Sequence, residues 1–111
     1  MSVERRYKAM SKYDYLAGAY NKLLELPVKT DTMHPYTVKF QTQKDRVMTT
    51  WEIDLPEYNA KRAIAQAEIR WYEQHPSTFM FHKSATRTKW DRMRHVGFHV
   101  AECYRIRRLL D

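Results

Sequence analysis

Two runs of alternating apolar and polar residues, separated by four polar side chains, leave the middle of this chain little conformational choice. In the first, Tyr36, Val38 and Phe40 alternate with Thr37, Lys39 and Gln41. In the second, Val47, Trp51, Ile53 and Leu55 share one side, and Thr50, Glu52 and Asp54 take the other. A period of two is the mark of a half-buried strand. With the polar residues Gln43, Lys44, Asp45 and Arg46 between the runs, the pattern predicts a β-hairpin. The turn carries no Asn-Gly pair, so its residues do not by themselves pin the register.

Helical spacing flanks the hairpin. Met10, Tyr13, Leu16, Ala17, Tyr20, Leu23 and Leu24 repeat at three and four residues and cover one side of a helix running to Leu26, with Asp14, Gly18, Asn21 and Glu25 opposite. Ser11 followed by Asp14 gives a start signal and Pro27 a stop. Residues 28–35 lack periodicity and read as a loop. After the hairpin, Pro56-Glu57 opens a second helix that runs to about Gln74, with Ala60, Ala63, Ile64, Ala67 and Trp71 as its inner stripe. Residues 78–82 read as a short third strand, with Phe79 and Phe81 on one face. Residues 83–88 form a polar loop, and a last helix runs from about Lys89 to Leu110, with Met93, Val96, Val100, Cys103 and Tyr104 inward.

The resulting order is α-β-β-α-β-α. It predicts a single α+β domain over residues 1–111, with helices on one face of a three-stranded, mainly antiparallel sheet. Residues 1–10 read as a flexible basic segment. Leu, Ile, Val and Phe number only 21 of 111 residues, a low share for a folded chain. Fifteen aromatic and six Met residues supply the missing apolar volume, since each buried ring removes on the order of 150–250 Å² from water. Two Gly and four Pro are too few for a linker-like chain. No apolar run approaches the ~18 residues of a membrane span, and residues 1–10 lack the apolar core of a secretory signal. With one cysteine, Cys103, an internal disulfide is excluded. An intracellular, cytoplasmic setting is expected.

Charge is unevenly spread. The chain carries a net charge of +7, and the excess lies at its ends: +3 over residues 1–12, −1 over 13–82 and +5 over 83–111. Eight of the twelve basic residues in the two end segments are Arg, whose planar fork suits phosphate. On a continuous last helix, Arg94, Arg105 and Arg108 share an outward sector with Trp90 at its edge. Basic groups beside an exposed ring suit phosphate contact plus base stacking. The reading that follows is a non-enzymatic nucleic-acid-binding accessory protein, for DNA or RNA, contacting mainly the backbone. Arg5, Arg6, Arg87, Lys89, Arg94, Arg105 and Arg108 would meet phosphate, and Trp90 would stack. It depends on these cations forming one patch. Should they be scattered, or held by carboxylates, the second reading moves ahead: a small adaptor or inhibitor, of the kind mobile elements encode, docking on a larger protein or ribonucleoprotein complex. The surplus of Tyr and Trp favours that second reading, because such rings are enriched at interface cores.

Other chemistry is weaker. His95, His99 and Cys103 follow one another at four-residue spacing, but on a helix the first and last lie about 12 Å apart along the axis, too far to share one metal ion. His95 and His99 remain the only metal candidates, and burial of Cys103 as a small apolar side chain explains it as well. A Cys103–His99 nucleophile lacks an orienting acid and an oxyanion hole. Glu52 and Asp54 point to one side of a strand, as a metal-binding pair does, but acids on an exposed strand face are ordinary. Two glycines make no phosphate-cradling loop. No cofactor is expected.

Overall fold

In a computed structural model of the chain, which describes residues 12–93 and 104–110, the elements are α1 (Asp14–Glu25), β1 (His34–Lys44), β2 (Val47–Glu57), α2 (Ala60–Gln74), β3 (Phe81–Arg87), α3 (Trp90–Met93) and β4 (Arg105–Leu109). The four strands form one antiparallel sheet in the order β3-β1-β2-β4. The protein is thus an α+β domain, with four strands where the sequence reading has three.

The hairpin pairs in register from His34–Glu57 to Lys44–Val47. That leaves Asp45 and Arg46 as a two-residue turn, both at positive φ (51° and 67°). Two left-handed residues match the twist of the flanking strands, as a type I′ turn requires. Alternation then sorts the side chains. Tyr36, Val38, Phe40, Ile53 and Leu55 are buried and meet Ala63, Ala67, Trp71 and Tyr72 of α2 in one core cluster. Ala63 and Ala67 present only methyl groups, which lets the helix approach the strands closely. Trp71 fills the space beyond them, edge-on to Phe40 at 5.1 Å and tilted against Trp51 at 5.0 Å. Its indole N–H donates to the Thr78 carbonyl at 3.0 Å, so the ring is buried without a lost hydrogen bond.

Pro56 and Glu57 do not open α2. They continue β2, and the helix begins at Ala60 behind Asn59, whose side-chain oxygen accepts from the Arg62 N–H at 2.9 Å. An Asx cap satisfies a helical donor for which the side chain of Pro56 has no acceptor. Arg62 then joins three elements. Its Nε donates to the buried Glu57 at 2.9 Å, and its Nη1 donates to the carbonyls of Leu23 and Leu26 at the end of α1.

Residues 83–87, expected as a loop, are the body of β3. Ala85 faces Val38 and joins the core edge, while Lys39 pairs with Ser84 and Thr37 with Thr86. The run is polar because it is an edge strand with one face off the core. A bulge between Lys39 and Gln41 is matched by His82 at φ 54°. The expected last helix is limited to α3 among the described residues, and Arg105–Leu109 is a strand. There Ile106 pairs with Ile53 on the core side, while Arg105 and Arg107 pair with Asp54 and Glu52 on the other. An apolar residue between two arginines has period two, and that fits this surface where a helical wheel does not.

Tyr72 is buried, and its hydroxyl accepts the Met80 N–H at 3.0 Å. Burial raises its pKa above the ordinary 10.0, the Met80 hydrogen bond partly opposing. The unfolded chain therefore ionises Tyr72 before the folded chain does. Its contribution is complete below pH 10 and is lost as pH climbs from there through the raised folded value. Urea midpoints measured from pH 9 to 11.5 should fall more steeply for the native chain than for Tyr72→Phe, which lacks this titration; equal slopes would exclude it.

Candidate functional site

Two surfaces stand out: the sheet face away from α2, and the solvent side of α1. On the sheet face, Asp54 and Glu52 of β2 project between β1 and β4. Asp54 is 0 % exposed, and its surroundings explain how a carboxyl group is held there. Thr37 Oγ1 donates to it at 2.6 Å, Arg92 Nε at 3.1 Å, and Arg105 and Arg107 close on its second oxygen at 3.4 and 3.1 Å. Glu52 takes Arg92 Nη2 at 3.1 Å and Arg107 Nη2 at 3.3 Å. Three guanidinium groups thus share two carboxylates. Arg92 reaches them from α3, which contacts β1 and β2, so the cluster ties both α3 and β4 to the central hairpin. Paired and hydrogen-bonded, a buried carboxylate is tolerable; alone it is not. Arg105 Nε is buried with no partner among the described residues.

Among the described residues, the members of the expected basic patch lie apart from one another. Arg105 faces inward to Asp54. Arg87 ends β3 opposite Tyr36, with Lys89 and Trp90 just beyond, at the end of the sheet where β1 begins. Arg108 stands opposite Trp51 on β4, at the other edge. Since β1 and β2 lie between those edges, Arg87 and Arg108 are three strand spacings apart across the sheet, about 14 Å, and four residues apart along it, about 13 Å. Trp90 is 51 % exposed, with Arg87 and Lys89 its basic neighbours. Arg5, Arg6, Arg94, His95, His99 and Cys103 lie outside the described residues. The other buried acids also consume cations. Glu68 holds Lys22 at 3.0 Å and Lys83 at 3.4 Å, and Glu57 holds Arg62. Much of the basic surplus is therefore structural. The Glu52–Asp54 pair does share one strand face, but it holds arginine. Among the described residues no cluster of His, Cys, Asp or Glu is arranged to hold a metal, and no helix is long and apolar enough to cross a membrane.

The helix α1 is packed off-centre. It lies against α2 through Leu16, Ala19 and Leu23, of which only Ala19 is fully buried. Tyr15 lies tilted against Tyr72 and edge-on to Phe79, each at 5.2 Å between ring centres. Tyr13, Ala17, Tyr20 and Leu24 are more exposed than the packed residues of the helix, with Tyr13 48 %, Tyr20 46 % and Leu24 84 % exposed. Their spacing of four, three and four residues makes one continuous stripe. The phenol of Tyr20 donates to Glu73 at 3.2 Å at one margin of it. The periodicity of α1 gives its apolar side correctly, but only packing decides which part of that side stays outside.

The chain matches no protein-family model, no curated protein and no solved structure.

Asp54→Asn should lower stability by about 2–3 kcal/mol, less than for a fully enclosed pair because the three guanidinium groups are about one-third exposed. Hydrogen exchange should accelerate in β4 before it does in β1. Uniform acceleration throughout the sheet, or none, would show that the cluster does not hold β4.

Proposed function

We propose that this chain is a small, non-enzymatic docking protein that acts inside the cell by seating the outer face of α1 on a larger protein or ribonucleoprotein complex. One observation carries the reading: a helix whose apolar side is wider than the other described residues cover. Contiguous exposed apolar surface is a feature of interaction sites, and Tyr is favoured in interface cores. Leu24 at 84 % exposed is hard to account for in an isolated chain. The charge distribution supports the same ranking, because the arginines nearest one another are bound to carboxylates rather than presented to an anion.

A second reading, nucleic-acid binding through backbone contacts, keeps the support of Arg87 and Lys89 beside the exposed ring of Trp90 and of Arg108, none of which is ion-paired among the described residues. It is DNA- and RNA-neutral, and it expects affinity to fall steeply with salt.

Co-purification from cell extract with and without nuclease, read by mass spectrometry, separates the two. On the docking reading, a defined partner survives nuclease and is lost with Tyr20→Ser/Leu24→Lys, whereas Arg87→Gln/Lys89→Gln retains it. Both pairs are exposed, so thermal melts should be unchanged. Loss of the partner on nuclease treatment, or on removal of the two cations alone, would give first place to nucleic acid.

A further inference from the structure

Between the free end of the hairpin and the C-terminal end of α2 lies a cleft of about 620 Å³, within the ~300–1,000 Å³ usual for small-ligand sites. Its walls are rings. Trp51 rises from β2, half-buried and tilted against Trp71. His75, at the end of α2, stacks on Trp71 at 4.0 Å and 29° and is itself exposed. Phe79 and Phe81 close the far side, edge to face at 4.9 Å. The indole N–H of Trp51 is spent on Thr42 Oγ1 at 2.9 Å, as that of Trp71 is on Thr78. Both indole N–H groups are thus committed, and with Trp71 buried it is Trp51 and His75 that offer the cleft ring faces. No carboxylate lines it.

The rim is basic. Lys44 lines the mouth and has no ion-pair partner among the described residues. Arg46 follows in the turn, beside Asp45. Arg108 stands across from Trp51 on the same side of the sheet and is exposed. Flat π surfaces in a concavity, with Lys44 in its lining and Arg108 paired opposite Trp51, complement a planar base attached to an anionic backbone. Duplex bases are stacked on one another and cannot enter; an unpaired base can.

From this we infer that the cleft is a binding site for single-stranded nucleic acid, receiving a base against Trp51 and His75 while Lys44 and Arg108 meet the flanking phosphates. The site lies at the opposite end of the sheet from Trp90 and does not involve the exposed stripe of α1. It is therefore independent of the docking reading, and either can fail alone.

The test uses the full chain at low ionic strength with four probes: a short fluorescein-labelled oligouridylate, the matching oligothymidylate, the oligothymidylate annealed to its complement, and uridine monophosphate. Anisotropy should report binding of both single strands, with quenched tryptophan emission. The duplex should bind at least tenfold more weakly, and the mononucleotide should be weaker than the strands. His75→Ala removes an exposed ring and should reduce affinity roughly 5- to 100-fold. Lys44→Gln should reduce both affinity and its salt dependence. Tyr20→Ser/Leu24→Lys should bind as the native chain does. The inference is overturned by undetectable strand binding, by duplex binding of equal strength, by indifference to both cleft variants, or by a mononucleotide as tight as the strands. Displacement of the quench by a Trp-containing peptide but not by oligonucleotide would assign the cleft to a protein side chain instead, and would overturn it too.

Discussion

A carboxylate with no exposed surface sits on the side of the sheet that α2 leaves uncovered, and the arrangement of the C-terminal part of the chain follows from how it is compensated. Asp54 needs cations, and it receives them from α3 and from alternate positions of β4. Because Arg105 and Arg107 are two residues apart, they reach the same face only if the backbone is extended. Electrostatic demand and strand geometry therefore agree, and Ile106 between them falls on the core side against Ile53. A five-residue edge strand with one apolar anchor holds on by that coincidence. Had Asp54 been apolar, Arg105 would have lost its carboxylate partner, while Arg92 and Arg107 would have kept Glu52.

The opposite side of the sheet is held by aromatic packing. With few aliphatic residues available, Trp71, Tyr72 and Phe40 supply the bulk of the core, and their polar atoms are satisfied locally, by Thr78 and by Met80. Arg62 does for the helical layer what Asp54 does for the open face: one buried ion pair with Glu57, extended to the last carbonyls of α1. The Leu23 carbonyl has the Leu26 N–H as its backbone donor and the Leu26 carbonyl lies past the last helical turn, so the guanidinium both ends the helix and fixes its place over α2. The protein is thus held at its margins by charge and at its centre by rings.

How much of this is legible in the residues follows the strength of each periodicity. The hairpin, α2 and α1 are readable because eight or more residues keep a single period, and tertiary packing reinforces what alternation already requires. The failures are at short or polar segments. β3 hides in Lys83-Ser84-Ala85-Thr86-Arg87, where only Ala85 carries the core signal. Arg105 to Leu109 looks like the end of a basic helix unless one asks what Glu52 and Asp54 are bonded to; two acids on one strand face are the signal that could have found β4. The basic excess is visible as a total but not as a surface, since pairing with Glu57, Glu68 and Asp54 depends on contacts between residues far apart in sequence. The outward stripe of α1 was present in its periodicity but indistinguishable from the inward one. The aromatic cleft was not legible at all, because its walls come from four separate segments.

The edges of the sheet do not run as far as its centre. β3 stops pairing at Gln41 and β4 at Thr50, while β1 and β2 go on together to Lys44 and Val47. Among the described residues the last part of the hairpin is consequently a two-stranded ribbon, with no further strand paired to either edge. Two-stranded ribbons coil more strongly than wider sheets, and the paired left-handed residues at Asp45 and Arg46 follow that sense. Where the outer strands end therefore sets how far the ribbon that carries Lys44 to the cleft mouth projects past the sheet, a matter of lengths alone.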